Sequence, residues 1–148
     1  MSKKNIFIFS TALSIVLIDQ LTKLLITQRF KLNESIPVLK NIFHLTYVTN
    51  TGSAFGLFKE LNLFFIFFSI VVVLAIFIYL KKIKKDETLL QISFGLLLGG
   101  TIGNLIDRLW HGFVIDFIDF RIWPVFNVAD SAVTVSIMLL IILLWKEK

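Results

Sequence analysis

The sequence predicts an all-α membrane protein of four transmembrane helices, with a small extracytoplasmic β-platform and a short interfacial helix, in one domain over residues 1–148. Three observations predict it. Apolar residues make up 57% of the chain, with a mean hydropathy of +0.86, against roughly 45–50% in an average soluble domain. Apolar runs at about 6–27, 61–80, 88–107 and 125–145 each approach the ~20 residues needed to cross a bilayer. The stretch between the first two runs is too polar for a span and too rich in β-branched and aromatic residues for an ordinary loop.

The first run follows Lys3 and Lys4 and continues past Gln20 to Ile26 without a small-residue cleavage site. It reads as a retained helix rather than a removed leader. The segment RFKLNESIPVLKNIFHLTYVTNTGSAFGLFKE comes next. Val38, Ile42, Phe43, Leu45, Thr46, Tyr47, Val48 and Thr49 give it strand character. After Asn50 it turns small and apolar through Gly52, Ala54 and Phe55, as suits a short helix lying in the outer interface.

KKIKKDE separates the second and third runs, and the chain closes on KEK. With four spans, Lys3, Lys4, Lys81, Lys82, Lys84, Lys85, Lys146 and Lys148 all fall on one side. The positive-inside rule makes that side cytoplasmic. Both termini are then inside, and the connections at about 29–60 and 107–124 are outside. The net charge of +5 is thus spread over span ends and forms no patch for nucleic acid. The chain has no cysteine, which excludes disulfides and thiolate catalysis.

Against this apolar background the polar residues stand out. Asp19 and Lys23 lie four apart on the first helix, acid before base, as a favourable ion pair requires. They fit a structural pair that locks helix packing or a direct part in catalysis. Gly95, Gly99 and Gly103 recur every four residues, a spacing that lets helices approach closely. Gly100, Asn104 and Arg108 form the neighbouring stripe and lead outward. On the fourth helix Asn127, Asp130, Ser131 and Thr134 share a face. VIDFIDF alternates like a strand, so Asp116 and Asp119 point to opposite sides and only one reaches the Asp130 face.

Asp19, Asn50, Asn104, Arg108, Asp116, Asn127 and Asp130 come from separate parts of the chain, and the topology brings all of them to the outer side. Ionisable groups at the edge of hydrocarbon are costly and therefore functional candidates. Asp116 and Asp130 are the candidates for chemistry: two carboxylates in a low-dielectric site share a proton, giving an acid and a base at one pH. That is what activating water against an amide carbonyl requires. Asp107 and Asp119 read as solvated or loop-bracing carboxylates, and His44 and His111 as packing or surface groups. No carboxylate stands at metal-ligand spacing from either histidine, so neither a metal site nor a histidine triad is expected.

DQLTK at 19–23, NTGSAF at 50–55, GGTIGNLIDR at 99–108, VIDFIDF at 114–120 and FNVAD at 126–130 together resemble, in order, the sequence blocks of bacterial lipoprotein signal peptidase, signal peptidase II. The resemblance implies an aspartyl endopeptidase of the bacterial plasma membrane, without a cofactor. Such an enzyme removes signal peptides from prolipoproteins by cutting before a cysteine that carries a diacylglyceryl group. It implies Asp116 and Asp130 as the catalytic pair, with Asn104, Arg108 and Asn127 lining the site and Asn50 reaching it from the platform. Asp19, Lys23, Gly52, Ala54, Phe55, Gly100 and Gly103 are implied as supporting positions. The implied partners are lipid-modified prolipoproteins and membrane lipid, with the protein itself a monomer. Two rivals come from other classes. A proton-coupled transporter would spread ionisable groups across the bilayer depth, whereas the inner halves of these runs are almost bare of them. A non-catalytic membrane assembly protein would tolerate Asp116→Asn.

Overall fold

The computed structural model describes residues 5–52, 60–84 and 86–146. Its four helices are α1 (Ile6–Arg29), α2 (Glu60–Tyr79), α3 (Thr88–His111) and α4 (Val128–Lys146). Three strands, β1 (Ser35–Leu39), β2 (Phe43–Asn50) and β3 (Val114–Asp119), form one antiparallel sheet in the order β1-β2-β3.

Helix α1 contains neither Gly nor Pro, and it stops where Phe30 turns extended with its N–H still on the Ile26 carbonyl. Helix α2 is apolar all round, with Leu63 and Ile78 both 71% exposed, as befits a helix whose solvent is lipid. Helix α3 runs one turn beyond the 107 that hydropathy suggests, because Gly112 only then supplies the left-handed residue (φ 80°) that ends it. Arg108 therefore sits inside the helix. Among the described residues, Ile6–Arg29, Asn62–Tyr79 and Thr88–His111 are long and apolar enough to cross a bilayer, and the apolar stretch Val128–Leu143 is shorter.

Helix α3 is the centre, with α1 and α4 against it and α2 more lightly attached. The glycines of α3 set these distances. A Cβ on Gly95 would stand 2.7 Å from the Ile8 carbonyl, one on Gly99 2.7 Å from that of Ala12, and one on Gly100 2.5 Å from that of Ala129. Near the α2–α3 turn, Ile8, Ala12, Ile76, Leu80, Ile83, Leu90, Phe94 and Leu98 form an apolar cluster. The other end, beneath the sheet, is polar.

Two strands of the sheet come from the segment expected to form the platform. The third is VIDFIDF, paired through Val48↔Asp116 and Asn50↔Val114. The register shifts between Leu45 and Val48, a bulge of the kind that re-aims side chains. The interfacial helix expected after Asn50 falls largely on 53–59, outside the described residues, as do Ala54 and Phe55.

Candidate active site

The site begins with a helix cap. Asn127 precedes α4, the position where Asn best satisfies the free N–H groups of a first turn. Its Oδ1 accepts the Asp130 N–H at 2.8 Å, and the Asp130 carboxylate accepts the Asn127 N–H at 3.2 Å. This reciprocal pair is a capping box with Asp in the place usually held by Glu or Gln. Local capping thus orients Asp130, placing it in the first turn of α4 rather than deeper in the helix.

The Asn127 side chain also donates to Asp116, at 2.7 Å from Oδ1, and to Asn104 Oδ1 at 3.0 Å. Asn104 in turn donates to Asp130 Oδ1 at 2.7 Å. Both aspartates are therefore bound to Asn127, one through its side chain and the other through its backbone. Asn50, at the end of β2, donates to Asp116 Oδ2 at 2.9 Å. Its own Oδ1 accepts the Gly52 N–H at 2.8 Å, which fixes which way the amide points. Gly52 has φ +82°, and a Cβ there would meet the Phe65 ring at 2.5 Å.

Asp116 and Asp119 diverge as strand alternation requires. Asp116 is 1% exposed and turned into the helices. Asp119 instead accepts from Thr46, which exchanges a hydrogen bond with Ser35, and pairs with Arg121 at 3.0 Å. Burial and the neighbouring charge of Asp130 push the Asp116 carboxyl up to about 6, against the pull of the Asn50 and Asn127 amides. Burial alone would raise Asp119 too, but its bonds from Thr46 and Arg121 win and hold it below the ordinary carboxylate range.

Asp130 forms a wall of two apolar grooves. One of about 400 Å³ runs between α2, α3 and α4, lined by Phe65, Phe68, Val72, Leu97, Val133 and Ile137 together with Arg108. The other, about 530 Å³, lies along α4 beneath Phe120, Ile122, Trp123 and Phe126. The Arg108 guanidinium stands 5.0 Å over the Phe65 ring, facing the first groove.

Every described residue singled out for the site thus lies in this region. Gly103 makes room for Asp19, whose Oδ2 would be 2.7 Å from an added Cβ. Asp19 and Lys23 pair at 2.8 Å, 0% and 2% exposed. Sequence reasoning undervalued two neighbours. Asp107 is buried, bound to Lys23 at 2.9 Å, and it braces the loop by accepting the Ile115 N–H. Gln20 donates to both Asp19 and Asp107. The signal for Asp107 was present: it continues the four-residue stripe of Gly95, Gly99 and Gly103. The histidines stay outside this network, His111 stacked on Phe113 and His44 bonded to Ser35. Among the described residues no group of three or more His, Cys, Asp or Glu could hold a metal ion.

Comparison with known proteins agrees across nearly the whole chain. The family model for signal peptidase (SPase) II matches residues 11–146. The lipoprotein signal peptidase of Halothermothrix orenii is 45% identical over 141 residues, covering 95% of this chain and 97% of that protein. That of Moorella thermoacetica is 47% identical over 129 residues, covering 87% and 86%. A bacterial membrane enzyme solved by the in meso method at 1.9 Å superposes with a TM-score of 0.90 at 33% identity, covering 100% of this chain and 99% of that one. A second, at 2.3 Å, gives 0.86 at 33% identity over 95% and 88%. The chain belongs to the signal peptidase II family, the lipoprotein-processing aspartic peptidases of the membrane.

Proposed function

We propose that this protein cuts diacylglyceryl-modified prolipoproteins immediately before the lipidated cysteine, with Asp116 and Asp130 as its catalytic dyad. It would act as a single-domain monomer in the bacterial plasma membrane. The observation that carries the reading is the junction of both carboxylates at Asn127, with Asp130 in the wall of an apolar groove. A shared hydrogen-bonding partner without charge holds the two acids as a pair, and the grooves suit a substrate that is apolar on both sides of the scissile bond.

α4 counts here as the fourth span. The polar cap at Asn127 then lies at the outer surface, and the lysines after α2 lie at the inner one, with both termini cytoplasmic. The substrate enters sideways from lipid, its signal helix and acyl chains remaining in apolar surroundings. The ionised aspartate removes a proton from water as its oxygen attacks the carbonyl before the cysteine. The protonated aspartate hydrogen-bonds the carbonyl oxygen as negative charge develops there, and the leaving amine takes up a proton as the C–N bond breaks. Burial and the charge of Asp130 push the Asp116 carboxyl up to about 6, so this carboxyl binds a proton in mildly acidic conditions. Asn104, Asn127 and Asn50 hold the carboxylates, and Arg108 faces the groove where it meets the polar part of the substrate.

The test uses purified protein in nanodiscs with a synthetic prolipoprotein peptide, with and without the diacylglyceryl group, and follows cleavage by mass. A cut before the cysteine in the lipidated peptide alone, lost in Asp116→Asn and in Asp130→Asn, is the expected result. Cleavage by either variant at the wild-type rate would remove the dyad. Proton flux in liposomes, with no cleavage, would favour a transporter instead.

A further inference from the structure

Behind the dyad lies a buried ion cluster that the reaction does not touch. The Lys23 ammonium has three acceptors: Asp19 at 2.8 Å, Asp107 at 2.9 Å and Asn104 Oδ1 at 3.1 Å. An ammonium has three protons to donate, so the group is saturated. Gln20 cross-braces the two carboxylates, at 3.2 Å from Asp19 and 2.9 Å from Asp107.

What the carboxylates do with their remaining capacity is specific. Asp19 Oδ1 accepts the backbone N–H of Ala129 at 2.9 Å. Asp107 Oδ2 accepts the backbone N–H of Ile115 at 3.0 Å. Ala129 immediately precedes Asp130, and Ile115 immediately precedes Asp116. The third arm, Asn104, donates to Asp130 itself at 2.7 Å. Each arm of the cluster thus ends on a dyad aspartate or on the backbone N–H of the residue just before one.

We infer that Lys23, Asp19 and Asp107 form a clamp that sets the separation of the two aspartates, with Asp107 the positioning residue for Asp116. A cluster serving only to glue α1 to α3 needs the ion pairs but has no use for peptide N–H groups on α4 and β3. Backbone hydrogen bonds already tie β3 to Phe126, two residues before α4, and the clamp adds a second tie at Ile115 and Ala129, next to the two aspartates themselves. A fully satisfied buried network is stiff, and stiffness matters here because a misplacement of about 1 Å can cost on the order of 10²-fold in rate. The clamp rests on the dyad reading above.

The experiment measures kcat and KM for the lipidated peptide in nanodiscs with Asp107→Ala and Asp107→Asn, beside Asp116→Asn and Asp130→Asn. Asp107→Ala frees the Ile115 N–H and lowers kcat by about 10–100-fold, the usual cost of losing a group that orients a reacting one. KM stays within about threefold, since Asp107 does not face substrate. Asp107→Asn keeps an oxygen for Lys23 and Ile115 and gives up only the bond from Gln20, and it restores kcat to within about fivefold of wild type. Ser136→Ala, which removes a buried hydrogen bond far from the site, lowers the melting point but leaves kcat unchanged, separating lost stability from lost positioning. Wild-type kcat in Asp107→Ala, a loss confined to KM, or equal loss in the alanine and asparagine variants would overturn the clamp. Full activity in Asp116→Asn or Asp130→Asn would overturn the dyad reading and the clamp with it.

Discussion

Helices α1 and α3 meet in two different ways along their length. Toward the α2–α3 turn the contact is apolar: Ile8 and Ala12 against Phe94 and Leu98, with Gly95 and Gly99 letting the backbones approach. Toward the sheet the same two helices are joined by Asp19, Lys23, Gln20, Asn104 and Asp107. In lipid, apolar residues gain little by leaving the solvent, so the first contact is held by dispersion and shape alone. The second is held by charges that must all be paired to be tolerated. The turn end is therefore expected to govern stability, and the sheet end to govern chemistry.

The largest effect expected at the sheet end is from Asp116→Asn and Asp130→Asn. Each removes one of the two acid–base partners and lowers kcat at least about 10³-fold. Neither unfolds the protein, since Asn nearly matches Asp in volume. Mass-detected cleavage and a melting curve on the same samples check both statements.

A pH experiment sharpens the same point. The folded Asp116 carboxyl titrates near 6 against an ordinary 3.8, so the folded state holds this proton more tightly than the unfolded one. The associated stability is fully present below about pH 4 and is lost as pH rises through 6. The loss amounts to on the order of 3 kcal/mol. Asp116→Asn lacks this titration, so its stability relative to wild type improves between pH 4 and 7 in micelle unfolding series. In Asp130→Asn the like charge is gone, and the Asp116 carboxyl, followed by ¹³C resonance, titrates lower than in wild type.

Two glycine substitutions set the ends against each other directly. Gly95→Ala drives a methyl to 2.7 Å from the Ile8 carbonyl, and Gly103→Ala drives one to 2.7 Å from Asp19 Oδ2. Both cost about 1–3 kcal/mol as overpacked positions. Only Gly103→Ala displaces a group that reaches the Ala129 N–H, so only it lowers kcat, by about tenfold or more. Equal kcat in the two variants would erase the distinction between the ends.

Much of this was legible in the chain because local rules wrote it. Asn127 and Asp130 stand at capping positions, Asp116 and Asp119 alternate, and the glycine stripe has helical spacing. The parts that were not legible depend on contacts between distant segments. VIDFIDF reads as a strand, but nothing in it names β2 as its partner, since pairing is a tertiary choice. Asp107 looks like any charged residue near a helix end until α1 brings Lys23 against it. The extra turn of α3 hung on Gly112, whose left-handed conformation ends helices but whose identity in a sequence also fits any loop.

The smallest effect tests the turn end where it is polar. Ser136 is fully buried and donates to the Ser93 carbonyl at 2.7 Å, tying α4 to α3 among apolar neighbours. The bond looks important because a hydroxyl in hydrocarbon has no water to replace its partner. Yet the carbonyl it reaches already belongs to a helix ladder, and in a separated helix the hydroxyl can turn to its own backbone, as Ser93 does with Leu89 at 2.8 Å. Both states therefore satisfy the group, and Ser136→Ala costs only about 0.6 kcal/mol, the average for such bonds in membrane proteins. Lys23 has no such local alternative for its charge, and this sets the two ends apart. Unfolding of Ser136→Ala in micelles, with kcat for the lipidated peptide measured alongside, reads the small loss of stability and the unchanged rate together. A large loss would mean that the turn end, too, is held by its polar contacts.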